Sequence, residues 1–187
     1  PLFFMDMELA ADRRAQEITK AETIAASMKA IHLLALAPGR NDWAGGADTL
    51  KNLVATSDAP LAAGNVVAPG LAPAKWTKTK VGGVELGIIG VAAPDKSKLP
   101  LDGVTSSAAA DAVKTAVAAL KKDGVQAIVV LAAVGRGEAK RIADLAPELT
   151  AIVVGSTVAS GDANTVAPPA ERIGNVLIAE TANHLQT

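Results

Sequence analysis

The residues best able to do chemistry in this sequence are few and scattered. There are two histidines, His32 and His184, at opposite ends of the chain, and no cysteine. Without cysteine there is no thiolate for zinc, no disulfide and no cysteine nucleophile within the chain. His32 opens an apolar run and reads as a partly exposed loop histidine. His184 has no carboxylate or histidine at ligand spacing, so a histidine-built metal site has little to stand on. A polar cluster, Arg40-Asn41-Asp42, is followed by Gly45-Gly46. Asn41 and Asp42 could hold a weak cation, but capping the next helix or satisfying the loop backbone is the preferred reading. Arg40, with glycine backbone at a helix start nearby, could hold an anion. Gly135-Arg136-Gly137 is a second basic turn that could join it around a phosphate. Ser57 and Ser156 have no adjacent histidine base, so no serine nucleophile is indicated. Nucleotide fingerprints of the Gly-x-Gly-x-x-Gly or Gly-x-x-x-x-Gly-Lys kind are absent. Gly87-Ile88-Ile89-Gly90 lies inside an apolar run and reads as close backbone packing.

These residues must be positioned by an ordinary soluble-type chain. At 187 residues it is long enough for one domain with a real core. Half the residues are hydrophobic, yet the aromatics are only two Phe and two Trp, so Ala, Val, Leu and Ile must build that core, with Trp43 and Trp76 as satellite anchors. The net charge of −1 carries no signature of nucleic-acid or anionic-membrane binding. Apolar stretches reach about seven residues, far short of the roughly 20 a spanning helix needs, so no membrane insertion by this segment is expected. The opening Pro-Leu-Phe-Phe-Met looks like the start of a buried strand, which suggests a chain begun upstream, with any targeting signal out of sight.

Spacing supplies the elements. A strand is expected at Leu2 to Met5 and a helix over 12 to 31, with Ile18, Ala21, Ile24, Ala25 and Met28 as its stripe. After the apolar run His32 to Ala37, Pro38-Gly39 opens the polar loop. A helix over 47 to 56 and a short strand from Leu61 to Val67 follow. Lys75 to Lys80 and Val84 to Val91 form a hairpin around Gly82-Gly83. Ser106 or Ser107 is placed to cap the clearest helix, whose stripe is Ala109, Ala112, Val113, Ala116, Val117 and Leu120 and which stops at Lys121-Lys122-Asp123-Gly124. Val125 to Leu131 is apolar on both faces and therefore central. A helix over 136 to 145, strands at Ala151 to Val154 and Val176 to Ala179, and a loop-rich 159 to 175 complete the chain. The alternation predicts an α/β fold with a mixed sheet, helices outside it, and one domain over 1 to 187.

Several segments, in order, resemble the catalytic domain of the metallophosphoesterase family, and in particular bacterial 5′-nucleotidases. That family carries Gly-Asn-His-Glu-Phe-Asp-x-Gly after a helix and strand, and here Gly39-Arg40-Asn41-Asp42-Trp43-Ala44-Gly45-Gly46 stands in its place. Gly64-Asn65-Val66 follows Pro60, as Ala-Asn-Val does there. Gly83-Val84-Glu85-Leu86-Gly87-Ile88-Ile89-Gly90 matches a Gly-x-Lys-Ile-Gly-Ile-Ile-Gly strand. Leu131-Ala132-Ala133-Val134-Gly135 matches Leu-Ser-His-x-Gly, and Val154-Gly155-Ser156-Thr157-Val158 matches Gly-Gly-His-Ser-His. Val176 to Ala179 matches the family's closing strand. The likeness covers nearly the whole chain, and it lies in the order and spacing of these motifs.

The resemblance implies a layered αββα sandwich of mixed sheets flanked by helices, N-terminally incomplete, whose relatives use two divalent metals about 3.5–4 Å apart to activate water on a phosphate ester. Carried over position by position, the ligand Asn becomes Arg40 and the catalytic His becomes Asn41. The His of the second motif becomes Ala133, and those of the last become Ser156 and Val158. An aspartate ligand on the next strand matches Asp6 within a few residues, and the family's Asp-x-His ligands would precede Pro1. Ala and Val cannot ligate, and Arg40 puts a fixed cation where a dication would sit. The expectation is a pseudoenzyme without catalytic residues, metal or cofactor, serving as a structural or protein-interaction module with other chains of a larger complex. Because the relatives are mostly exported, a bacterial periplasmic or cell-envelope setting is implied. Two alternatives stay open: a non-hydrolysing nucleotide or phosphate binder at Arg40 and Arg136, and a phosphoesterase with a rearranged metal site.

Overall fold

The computed structural model describes residues 2–94, 101–155 and 167–181. In chain order the elements are α1 (Arg14–Ala30), a 3-10 turn (Arg40–Trp43), α2 (Ala47–Ser57), β1 (Val66–Val67), β2 (Thr77–Val81), β3 (Val84–Ala92), β4 (Thr105–Ser106), α3 (Ala109–Lys122), β5 (Ala127–Ala133), α4 (Arg136–Leu145), β6 (Ala151–Val154), β7 (Glu171–Ile173) and β8 (Val176–Glu180). Six strands make one mixed sheet in the order β2-β3-β5-β6-β8-β7. The inner four run parallel, and antiparallel β2 and β7 close its edges. β1 and β4 form a separate antiparallel pair.

Period-two alternation sorts the sheet's side chains. Ile89 and Val91 of β3, Ile128, Val130 and Ala132 of β5, and Ile152 and Val154 of β6 enter one buried cluster with α3 and α4. The helices present Val113, Ala116, Val117 and Leu120, and Ala139, Ile142 and Ala143. These are largely the expected stripes, and their many alanines let helix and sheet approach closely. Ala92 and Ala133, on the opposite parity, join a second cluster with Phe3, Phe4, Trp43, Leu50 and Leu53 and with Ala21 and Ala25 of α1. On the sheet face away from α3 and α4, Ala35, Ala62 and Ile88 form a smaller group. The backbone passes very near β3 at Gly90, where a β-carbon would overlap the Ala62 carbonyl, while Gly64 N–H donates to Gly90 O at 2.8 Å. Gly90 is therefore a packing glycine, as its place inside an apolar run suggested. The hairpin turn sits at Gly82 and Gly83, with φ of 58° and 87°, which its left-handed geometry requires.

Four local expectations need correction. Residues 2–5 form no strand, because the N–H groups of Leu2 and Phe3 donate to the Asp42 side chain instead of a neighbouring strand. The strand expected over Leu61 to Val67 shrinks to β1, with single bridges Leu36↔Leu61 and Ala62↔Ala74. Ser106 lies in β4, Ser107 N–H donates to Asn65 O, and Ala108 leads into α3 without a side-chain cap. Ile24 is turned outward at 36% exposed, so the buried stripe of α1 is Ala21 and Ala25.

Candidate functional site

In an open, mostly parallel sheet, ligands collect at the carboxyl ends of the strands. Here those ends are Ala92, Ala133, Val154 and Glu180. The first two are neighbours in register. Both pack into the second apolar cluster, and Ala93 N–H donates to Ala133 O. The adjoining ends of β3 and β5 thus present methyl groups and bonded backbone.

The polar loop lies beside the same cluster. Asn41 and Asp42 are buried in the 3-10 turn, and Arg40 is half-buried at its start. Asp42 Oδ1 accepts the N–H groups of Leu2 and Phe3, each at 2.7 Å, and Oδ2 accepts Gly39 N–H at 2.6 Å. Burial pushes this carboxyl above the usual aspartate range, and the three backbone donors pull against that rise. Asn41 Nδ2 donates to Met5 O. The pair satisfies backbone, in line with the preferred sequence reading, although most of the backbone served is in residues 2–5. Trp43 is fully buried in the second cluster with its indole N–H unpaired.

Arg136 begins α4 just beyond β5. Its Nε and Nη2 donate to Glu171 Oε1 at 3.0 and 2.7 Å, Nη1 donates to Glu180 Oε2 at 3.1 Å, and Nη2 also reaches Pro169 O. Lys140 adds a bond to Glu171 Oε2 at 3.1 Å. Lys140 and Arg136 hold the Glu171 carboxyl below the usual range, and the Arg136 guanidinium is raised in turn, chiefly by Glu180. This network ties α4 to β7 and β8. An anion approaching Arg136 would have to displace two carboxylates.

Arg40, Asn41 and Asp42 share a turn, Ala133 sits in the apolar cluster, and Arg136 faces its own carboxylates. Ser156, Val158 and His184 lie outside the described residues. His32 is exposed, with φ of 53°. Among the described residues, no three His, Asp, Glu or Cys side chains gather closely enough to hold a metal ion. Among the described residues beside these strand ends, the buried Asp42 carboxylate accepts from three N–H groups, and Ala92 and Ala133 offer methyl groups in place of lone pairs.

Sequence reasoning missed three residues. Asn65, buried, donates through Nδ2 to Ala92 O at 2.8 Å and Ser107 O at 3.1 Å, and its Oδ1 accepts Ala92 N–H at 2.9 Å. It fastens the end of β3 to the start of α3. Its match in Gly64-Asn65-Val66 was a signal, but the motif alone did not give its task. Glu171 and Glu180 had no local signal, being 35 and 44 positions from Arg136.

Comparison with known proteins places this architecture. No family model and no curated protein matches the sequence. Solved structures do. The Thermus thermophilus sulfate thiohydrolase SoxB superposes with a TM-score of 0.72 over 87% of this chain and 30% of its own, at 18% identity. A 5′-nucleotidase precursor, also from Thermus thermophilus, gives 0.65, covering 88% of this chain and 36% of its own at 22% identity. The calcineurin-like phosphoesterase YfkN of Bacillus subtilis gives 0.65, covering 91% and 60% at 19% identity. The chain spans about a third of the length of the first two. It has the metallophosphoesterase fold of these proteins, the α/β architecture that its motifs resembled.

Proposed function

We propose that this chain is a non-catalytic 5′-nucleotidase-like domain that works as a structural or protein-interaction module in a bacterial cell-envelope assembly. The fold alone does not carry the activity of its neighbours, because function resides in the site. One observation carries the reading: the adjacent carboxyl ends of β3 and β5 are Ala92 and Ala133, packed into an apolar cluster. The adjoining turn supports it, since Asn41 and Asp42 are committed to backbone partners. A dication beside Ala92 and Ala133 would find no lone pair on either side chain. The partner in this reading is another protein chain, and the setting is periplasmic, in keeping with a neighbour described as a 5′-nucleotidase precursor. A phosphate pocket built on Arg136 is disfavoured by its bonds to Glu171 and Glu180.

The test is a thermal melt with and without millimolar Mn²⁺ or Zn²⁺. An ion binding only the folded state at 100 times its dissociation constant adds about 2.7 kcal/mol, a shift of several degrees for a chain of this size. The expected result is no shift with either ion. A saturable rise in Tm would overturn the reading and favour a phosphoesterase with a rearranged site.

A further inference from the structure

The turn at Arg40–Trp43 has a task that neither catalysis nor partner binding explains. Residues 2–5 have no strand partner, yet Phe3 and Phe4 are only 4% and 2% exposed and belong to the second core. Their backbone is held by side chains from a turn almost 40 positions away. Asp42 Oδ1 takes two successive N–H groups, those of Leu2 and Phe3, and Asn41 takes the carbonyl of Met5. The other carboxylate oxygen holds Gly39 at the mouth of the turn. We infer that Asn41 and Asp42 form a latch, which docks residues 2–5 onto the second core and whose release lifts that segment while the six-stranded sheet stays folded.

The physical case rests on where the bonds are. The backbone of β5 lies in ladders with β3 and β6, so losing one bond leaves neighbours in place. Three of the bonds that dock residues 2–5 converge on two adjacent side chains, so they form and break as a unit. On the latch reading this segment opens at a lower free energy than the ladder-bonded strands, although Phe3 and Phe4 are buried. Lifting it would carry Phe3 and Phe4 out of the cluster that also contains Ala92 and Ala133. The opened form would therefore present an apolar surface at the carboxyl ends of the strands. The latch concerns the chain's own opening, so its test and the metal-ion melt fail independently.

Native-state hydrogen exchange on the intact chain, resolved to single amides, tests it. In the wild type, the Phe3 and Gly39 amides should share one opening and exchange at least about tenfold faster than Val130 in β5. Asp42→Ala should speed both by roughly tenfold or more relative to Val130. Should that variant fail to fold, Asn41→Ala removes only the Met5 bond. It should still raise the rate of chymotryptic cleavage after Phe3 and Phe4 several-fold, with Val130 exchange unchanged. The latch is overturned if Phe3 and Gly39 exchange no faster than Val130 in the wild type, or open separately. It is equally overturned if Asn41→Ala leaves the cleavage rate at wild-type level.

Discussion

The two halves of this molecule solve the same problem in different ways. Around the first core, backbone polar groups are satisfied mostly by ladders and helices, with Thr150 Oγ1 accepting the Ile128 N–H at 3.1 Å, and the side chains of Ile128, Val130 and Ile152 are left to pack under α3 and α4. Around the second core, α1 and α2 supply the helices but strand pairing is sparse. β1 has two residues, Leu36, Leu61, Ala62 and Ala74 make only single bridges, and residues 2–5 form no strand. Buried side chains there replace missing backbone partners: Asp42 for residues 2, 3 and 39, Asn41 for residue 5, and Asn65 for residue 92. In the second half, buried polar side chains thus do work that ladders do in the first.

If this contrast is right, truncation in the first core should be the most costly change. Ile128 is fully buried between α3 and the parallel strands. Ile128→Ala removes three carbons and leaves a cavity whose walls cannot fully collapse, which costs about 2–5 kcal/mol. Denaturant unfolding should show the loss as a lower midpoint with an unchanged slope. A loss below about 1 kcal/mol would mean that the helix-covered half is not the stability core. In the second half the sensitive positions are polar. Asn65→Ala deletes little apolar surface but strands the Ala92 N–H and C=O at a buried position. About 1–3 kcal/mol should be lost, less than for Ile128→Ala. If the order were reversed, the second half would be the stability core and the contrast would fail.

The same contrast explains what could be read without coordinates. α3 was legible because its stripe recurs at helical spacing and its end carries Lys121, Lys122 and Gly124, with φ of 76° at that glycine. The central position of β5 followed from its apolar character on both faces, and the hairpin from Gly82-Gly83. Those signals are local, since period and turn chemistry sit within a dozen residues. The second half depends on pairs such as Asp42 with Phe3, 39 positions apart, and Asn65 with Ala92, 27 apart. No periodicity records such pairs. The Leu2 to Met5 run looked like a strand because buried strands are apolar. What distinguishes it is the identity of its hydrogen-bond partner, which lies elsewhere in the chain. At the candidate site, the residue types at Arg40, Asn41 and Ala133 were legible from motif order. That Ala133 joins an apolar cluster and that Arg136 faces two carboxylates were not, because both depend on packing across the sheet's end.

The smallest expected effect concerns the charged seam between the halves of the sheet's rim. Glu171, held low chiefly by its bond to Lys140 and then by Arg136, is ionised more readily in the folded chain than in the unfolded one. The unfolded state therefore takes up the proton first on acidification. The stability this group contributes is complete above the ordinary glutamate range and disappears as pH falls through its lower folded value. The residue is about one-third exposed, and solvent and salt screen the pair, so the effect on the melt should be modest. Glu171→Gln should lower Tm at pH 7 and make no difference at an acid pH below the lowered folded value, where the wild-type carboxyl is protonated as well. Added salt should shrink the gap at pH 7. If the two proteins differed equally at both pH values, the loss would come from packing at β7 and not from charge. The rim of the sheet would then be held as its first core is, by shape.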